Sequence, residues 1–193
     1  MLKEEIRILG FDDGAFSTRK KGRVPVIGVV FRGGKFLDGA LKTEVLVDGL
    51  DATKKLVKLI NTSRHKQQLK VVMLDGITLG GFNIVDVQEL YESTRLPVIV
   101  INRKHPNLEK VKAALKNFKD FEKRWEMVKK AGPIKVCEVK PGVKVYYQAV
   151  GMEDEEVEEV IALSSTRSQL PEPLRVAHII ATALVKGESG GRA

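Results

Sequence analysis

The sequence predicts an α/β fold in which a mixed sheet, made of a three-stranded antiparallel meander plus parallel strands, is flanked by helices. Two observations support it. Residues 6–46 contain short apolar runs joined by turn residues, as consecutive antiparallel strands do. Beyond them, continuous apolar runs alternate with amphipathic segments, which is typical of parallel strands joined by helical crossovers. The length of 193 residues suits one domain with a substantial core, so we expect a single domain over 1–186 and a flexible tail over 187–193.

The meander is predicted from three apolar runs at the start of the chain. The first covers 6–11 and ends in the turn sequence DDG at 12–14. The second covers 24–31, and the sequence RGGK at 32–35 is typical of a hairpin turn that leads into a third strand over 35–46. Each run therefore continues into its antiparallel neighbour.

The parallel strands are predicted from the next part of the chain. A helix opens at Asp51, with Asp48 or Asp51 as its N-cap. Residues 70–74 form a strand buried on both faces, because their apolar side chains do not alternate with polar ones. A helix over 85–93 and a second apolar strand over 97–101 follow, and this alternation indicates parallel crossovers.

The remainder of the chain adds helices and one hairpin. Apolar residues at helical spacing predict a single long amphipathic helix over 107–130. Residues 134–150 form a hairpin around the sequence KPG at 140–142. Two more helices are expected over 153–163 and 171–185.

This element order is the one that a ribonuclease H-like domain requires. A doubly wound nucleotide-binding fold is the competing interpretation. That fold places a glycine-rich phosphate loop after its first strand, whereas DDGAF at 12–16 has neither glycine pattern and places two carboxylates there. We therefore expect the ribonuclease H-like fold.

Composition limits the partners and the compartment. The net charge of +8 is compatible with binding nucleic acid, although a lysine-rich surface explains the charge equally well. The one cysteine, Cys137, excludes an internal disulfide and a cysteine-rich zinc site, and it fits a reducing compartment. There is no apolar run of bilayer length, and MLKEEIRILG lacks the layout of a signal peptide. We expect a cytoplasmic protein without membrane contact.

Two aspartates end neighbouring strands of the expected sheet, Asp12 after the first and Asp75 after the fourth. Carboxylates held side by side repel each other unless a cation lies between them, and oxygen ligands of this kind suit Mg²⁺ or Mn²⁺. The alternative is that each aspartate caps a turn. Asp51 is the candidate for a third catalytic carboxylate, with N-capping as its alternative role, and Asp13 is expected to point to the opposite face of the sheet.

Four segments resemble endonuclease V in chain order: ILGFDDGAF, VVMLDGITLGGFNIVD, RLPVIVINRK and LPEPLRVAH. The resemblance covers roughly residues 6–184. Overall, the chain resembles a small-protein family, described mainly from archaea, that is distantly related to endonuclease V. It implies a Mg²⁺-dependent ribonuclease H-like enzyme that cuts DNA or RNA near deaminated bases such as inosine. By position, Asp12 and Asp75 match its metal-binding aspartates. Arg103, with Lys104 adjacent, matches its basic residue, so both are candidate nucleic-acid contacts.

The sequence also departs from endonuclease V. The nearest counterpart of its helix-start glutamate is Asp51, its histidine is replaced by Met152, and an acidic position is occupied by His178. VLVDGLDAT replaces its wedge of aromatic and proline residues, so inosine specificity is not carried over. Loss of a general acid-base group costs roughly 10²–10⁴-fold in rate, which slows a nuclease without abolishing it.

Two functions remain. The first is a divalent-metal-dependent phosphodiesterase acting on nucleic acid with a changed specificity, with Asp12, Asp51 and Asp75 as catalytic residues. The second is a relative that binds nucleic acid and has lost catalysis. A metabolic enzyme or a partner-binding scaffold is a third possibility, because one fold supports many functions.

Overall fold

The computed structural model describes residues 4–15 and 22–190, and these form nine strands and six helices. The strands are β1 (Arg7–Asp13), β2 (Arg23–Arg32), β3 (Phe36–Leu46), β4 (Val71–Asp75), β5 (Thr78–Leu79), β6 (Asn83–Ile84), β7 (Val98–Asn102), β8 (Lys135–Lys140) and β9 (Val143–Val150). The helices are α1 (Ala52–Asn61), α2 (Val87–Thr94), α3 (Leu108–Leu115), α4 (Phe121–Lys130), α5 (Asp154–Ser164) and α6 (Glu172–Lys186).

Seven strands form one mixed sheet in the order β3-β2-β1-β4-β7-β9-β8. The meander is confirmed, because β2 runs antiparallel to both β1 and β3. The crossovers are confirmed as well, because β1, β4 and β7 run parallel. The hairpin of β8 and β9 joins the sheet through β9, which pairs antiparallel with β7. The predicted ribonuclease H-like fold class is therefore correct.

The sheet separates two apolar cores, and the strand alternation decides which side chain enters which core. Leu9 and Phe11 pack with α1 and α2 on one face, whereas Ile8 packs with α5 and α6 on the other. Side chains in a strand alternate between faces. Asp12 therefore lies on the α6 face with Ile8, and Asp13 lies on the α1 face with Phe11.

The prediction of a single long helix over 107–130 is wrong. Two helices occupy this range, α3 and α4, separated by a turn at 116–120. The turn allows Phe118 to pack against Phe82, with ring centroids 5.6 Å apart, and brings the Arg124 guanidinium 4.4 Å from the Phe118 ring centroid. Helical spacing alone does not reveal these tertiary contacts, because the apolar residues keep the same period on both sides of the turn.

The small hairpin of β5 and β6 was not predicted. It follows β4 and contains Gly80, whose backbone has a φ of 63°, a conformation that favours glycine. This geometry presents the Gly80 N–H to the carboxylate of Asp13.

The chain ends after α6, whose C-cap is Gly187 in the left-handed region. Residues 191–193 of the expected tail lie outside the described residues, and the single-domain boundary stays a prediction. Among the helices of 4–15 and 22–190, none combines the length and the hydropathy that crossing a bilayer requires.

Candidate functional site

Asp12 and Asp75 lie side by side at the carboxyl ends of two parallel strands. The register pairs Phe11 of β1 with Leu74 of β4, so the two aspartates follow directly on neighbouring strands. Both side chains line one pocket of about 500 Å³. In open α/β sheets this edge is where ligands bind. The structure thus brings together the two residues that the sequence predicted as a pair.

Both carboxylate oxygens of Asp12 are held from the protein side. Its Oδ1 accepts a hydrogen bond from the backbone N–H of Asp13 at 2.8 Å, and its Oδ2 lies 2.7 Å from Nδ1 of His178. The residue is only 6% exposed. A carboxylate accepts about four hydrogen bonds in total, so each oxygen retains acceptor capacity.

Three carboxylates, those of Asp12, Asp13 and Asp75, line the pocket together. Burial, then the nearby carboxylates of Asp75 and Asp13, raise the pKa of Asp12 to about 8. Burial also raises the pKa of Asp75, although Arg103 and His178 oppose the rise. Both shifts mean that the folded protein disfavours two negative charges here, which a cation between them would offset.

Arg103 lies on the Asp75 side of the pocket. Its guanidinium nitrogen is 3.7 Å from Oδ2 of Asp75, and its backbone oxygen accepts a hydrogen bond from Gln169 at 3.2 Å. Lys104 is exposed and is not among the pocket-lining residues. Arg103 is thus placed to contact a phosphate in the pocket, and a nucleic-acid contact of Lys104 stays a prediction.

Helix α6 forms the opposite wall. His178, Thr182 and Lys186 line the pocket at four-residue spacing, which places them on one face of the helix. Sequence reasoning gave none of these residues a role. The signal that was available is the segment LPEPLRVAH together with this spacing.

Asp51 does not join the pocket. Its Oδ1 accepts hydrogen bonds from Nδ2 of Asn83 at 2.7 Å and from the backbone N–H of Leu46 at 3.1 Å, and it does not line the pocket. Asp51 occupies the N-cap position of α1, but its side chain makes no capping hydrogen bond. These contacts correct the expectation that Asp51 supplies a third carboxylate beside Asp12 and Asp75.

Asp13 and Met152 also have structural contacts. Oδ2 of Asp13 accepts a hydrogen bond from the Gly80 N–H at 2.6 Å. Asp13 also lines the pocket that contains Asp12 and Asp75, which the sequence analysis did not predict. Met152 packs against the apolar core on the α5 side of the sheet. A thioether in that position transfers no proton.

The donor set fits a hydrated divalent cation. Among the described residues, no group of three or more His, Cys, Asp and Glu side chains is arranged to hold a metal ion, so an all-protein cage is absent from this part of the chain. Mg²⁺, however, commonly binds through one or two carboxylates, retains several waters and takes further ligands from substrate phosphate. Asp12 and Asp75 satisfy that requirement.

Residues 4–185 match the model of a protein family described as endonuclease dU. A UPF0215 protein of Methanosarcina mazei is 53% identical over 193 residues, which cover 100% of this chain and 97% of the relative.

Two solved structures extend the likeness to the fold. The crystal structure of a protein of unknown function from Archaeoglobus fulgidus has a TM-score of 0.85 and 38% identity, covering 94% of this chain and 99% of the other. Endonuclease V of Ciona intestinalis, crystallised with a 24mer DNA containing an inosine followed by a ribo-adenosine, has a TM-score of 0.61 at 16% identity. That likeness covers 89% of this chain and 82% of endonuclease V, and it shows a shared fold.

Proposed function

The chain belongs to the endonuclease dU family, and from this premise we propose that it is a divalent-metal-dependent endonuclease that hydrolyses phosphodiester bonds in nucleic acid. The observation that carries the proposal is the pair of carboxylates, Asp12 and Asp75, facing one pocket beside Arg103. The family's description makes DNA containing dU the first substrate to test.

Asp12 and Asp75 would hold the Mg²⁺ or Mn²⁺ ion. When bound, such an ion stabilises negative charge on the phosphate oxygens and lowers the pKa of the attacking water. Arg103 binds a non-bridging oxygen of the phosphate and so orients it in the pocket. In the reaction, the bond from the water oxygen to phosphorus forms and the bond from phosphorus to one ester oxygen breaks. The attacking water gives a proton to the solvent, and the leaving oxygen takes one from it.

The charge of the chain supports a polyanionic substrate. The net charge is +8, and Arg103 and Lys186 are basic residues that line the pocket on either side of the carboxylates. Basic residues that flank a buried acidic pair attract the phosphate backbone toward it, because the positive potential raises the local concentration of a polyanion.

A second candidate function is nucleic-acid binding without turnover. The observations that favour it are Met152, which cannot transfer a proton, and Asp51, which contacts Asn83 away from the pocket. On this alternative the basic surface binds phosphates, and the carboxylates no longer support hydrolysis.

Cleavage assays with Mg²⁺ and Mn²⁺ test the two functions. The substrates are single-stranded and duplex DNA and RNA, either unmodified or containing inosine, and DNA containing dU. We expect Asp12→Asn and Asp75→Asn each to lower cleavage by about 10³-fold. Asp154→Asn is the matched control, because Asp154 forms an ion pair with Lys135 outside the pocket.

Unchanged cleavage by both pocket variants contradicts the enzyme proposal. If wild-type protein binds these oligonucleotides with a steep salt dependence but never cuts them, the second function is supported. An affinity that is flat between 50 and 200 mM salt contradicts phosphate contacts altogether, because each neutralised phosphate contributes about 0.7–0.9 to the slope.

A further inference from the structure

We propose that His178 is a positioning residue, whose Nδ1–H donates a hydrogen bond to Asp12 and thereby fixes that carboxylate for cation binding. The inference rests on the proposed function, since it concerns the same pocket. It assigns to α6 a role that the sequence did not reveal.

The backbone of α6 is held firmly against β1 near this contact. Gly10 lies two residues before Asp12 on the same face of β1, and a Cβ at Gly10 would lie 2.6 Å from backbone and side-chain atoms of Pro173. Leu174 and Ala177 of α6 are fully buried. The helix therefore approaches the strand as closely as glycine allows, which fixes the distance between the backbones that carry Asp12 and His178.

Two donors determine the orientation of the Asp12 carboxylate. The Asp13 N–H holds Oδ1 from the strand, and the His178 ring holds Oδ2 from the helix. One contact on each oxygen restricts rotation about both side-chain torsions of Asp12. Hydrogen-bonding partners of this kind orient metal ligands, and their loss typically costs 10–100-fold in metal affinity.

The direction of this hydrogen bond follows from the chemistry of the ligand. A carboxylate that coordinates a cation is ionised and accepts hydrogen bonds only. In the cation-bound protein, the hydrogen between Nδ1 of His178 and Oδ2 of Asp12, which lie 2.7 Å apart here, is therefore on Nδ1. A third carboxylate at this position would instead repel Asp12 and Asp75. An imidazole thus orients one acid without adding another negative charge to the pocket.

The test determines which of the two ring nitrogens of His178 is required. The side-chain amide nitrogen of asparagine lies near the position of a histidine Nδ1, and that of glutamine lies near Nε2. We expect His178→Ala to weaken Mn²⁺ binding by about 10–100-fold, His178→Asn to restore the affinity to within about 3-fold of wild type, and His178→Gln to remain as weak as His178→Ala. Mn²⁺ affinity is measured by electron paramagnetic resonance without nucleic acid, so the readout does not require turnover.

His65→Ala is the matched control, because His65 contacts Arg64 and does not line the pocket. Thermal unfolding of every variant shows that the protein is folded. The inference is overturned if His178→Ala binds Mn²⁺ as wild type does, or if His178→Asn is as weak as His178→Ala. Failure of the proposed function is a separate result: a wild-type protein that binds Mn²⁺ but cuts no substrate contradicts hydrolysis and leaves the ranking of the His178 variants intact.

Discussion

Two groups of aspartates in this protein lie at the ends of strands and helices, and their surroundings differ. The strand-end pocket contains Asp12 and Asp75, which are buried close to each other and whose pKa values are both raised. The second group, here called the Arg124 cluster, lies between α1, the β5–β6 hairpin and α4. Its members are Asp48, Asp51, Asn83, Asp120 and Arg124.

In the Arg124 cluster the polar groups find partners within the protein. Asp48 accepts the Phe82 N–H at 2.8 Å, and Asp51 accepts from Asn83 and Leu46. The Arg124 guanidinium binds the Asp120 carboxylate and three backbone carbonyls. An aspartate at the end of an element is therefore no sign of function by itself. The difference lies in burial beside other carboxylates, which raises the pKa of Asp12 and that of Asp75 in the strand-end pocket.

The largest expected effect on stability comes from removing the cation of the Arg124 cluster. Arg124 is 4% exposed, and Arg124→Met leaves the Asp120 carboxylate and the backbone oxygens of Asp48, Gly49 and Phe82 without this partner. We expect a loss of about 3–5 kcal/mol in the free energy of unfolding, measured by urea denaturation.

The control for that substitution lies on the same helix. Lys129 forms an exposed ion pair with Glu126, so Lys129→Met is expected to change stability by at most about 1 kcal/mol. An Arg124→Met protein that loses no more than the control would show that the cluster is not a stabilising network, and the contrast between the two groups would fail.

The next largest effect is the pH dependence of the free energy of unfolding of the metal-free protein. This dependence arises in the strand-end pocket. The pKa of Asp12 rises from its ordinary value of 3.8 to about 8 in the folded protein. Between these values the folded state binds more protons than the unfolded state, so the free energy of unfolding falls as the pH rises. One such group contributes at most about 1.4 kcal/mol per pH unit, and the contribution is constant below pH 3.8 because both states are then protonated.

Urea unfolding between pH 5 and 9 in the presence of EDTA measures this slope. We expect Asp12→Asn to flatten it and to be more stable than wild type at pH 8, because the substitution removes a buried like charge. Equal slopes for wild type and Asp12→Asn would contradict the view that burial, together with the neighbouring carboxylates, disfavours a charged Asp12.

The sequence was sufficient to predict the carboxylate pair and insufficient to predict what surrounds it. Asp12 and Asp75 were found because an apolar strand that ends in an acid is a local pattern, and sheet order follows from element order. The resemblance to an archaeal family distantly related to endonuclease V is confirmed by the family match. It agrees with the fold and the two aspartates that the residue pattern had already indicated.

Contacts between distant residues account for what was missed. His178 and Asp12 are 166 positions apart, and no periodicity connects them. Asp51 was assigned to the site as the nearest counterpart of a helix-start glutamate. Its actual partner, Asn83, belongs to a hairpin of two-residue strands that are too short to give a strand pattern. The turn between α3 and α4 depends on Arg124 reaching carbonyls 42 to 76 positions away. Local patterns predict elements, whereas these assignments require the assembled neighbours.

The smallest expected effect is also the most direct test of the comparison. In Asp51→Asn the side-chain oxygen can still accept from Leu46 and Asn83, so only the charge is lost, and we expect a cost of about 0.5–1.5 kcal/mol. Cleavage per folded molecule should equal that of wild type, because Asp51 contacts none of the pocket carboxylates in the structure. If activity instead falls by the roughly 10³-fold expected for the pocket aspartates, the carboxylate of Asp51 must leave Asn83 and reach the cation during turnover. The Arg124 cluster would then hold a resting position of a third ligand, and the two groups of aspartates would belong to one site in two states.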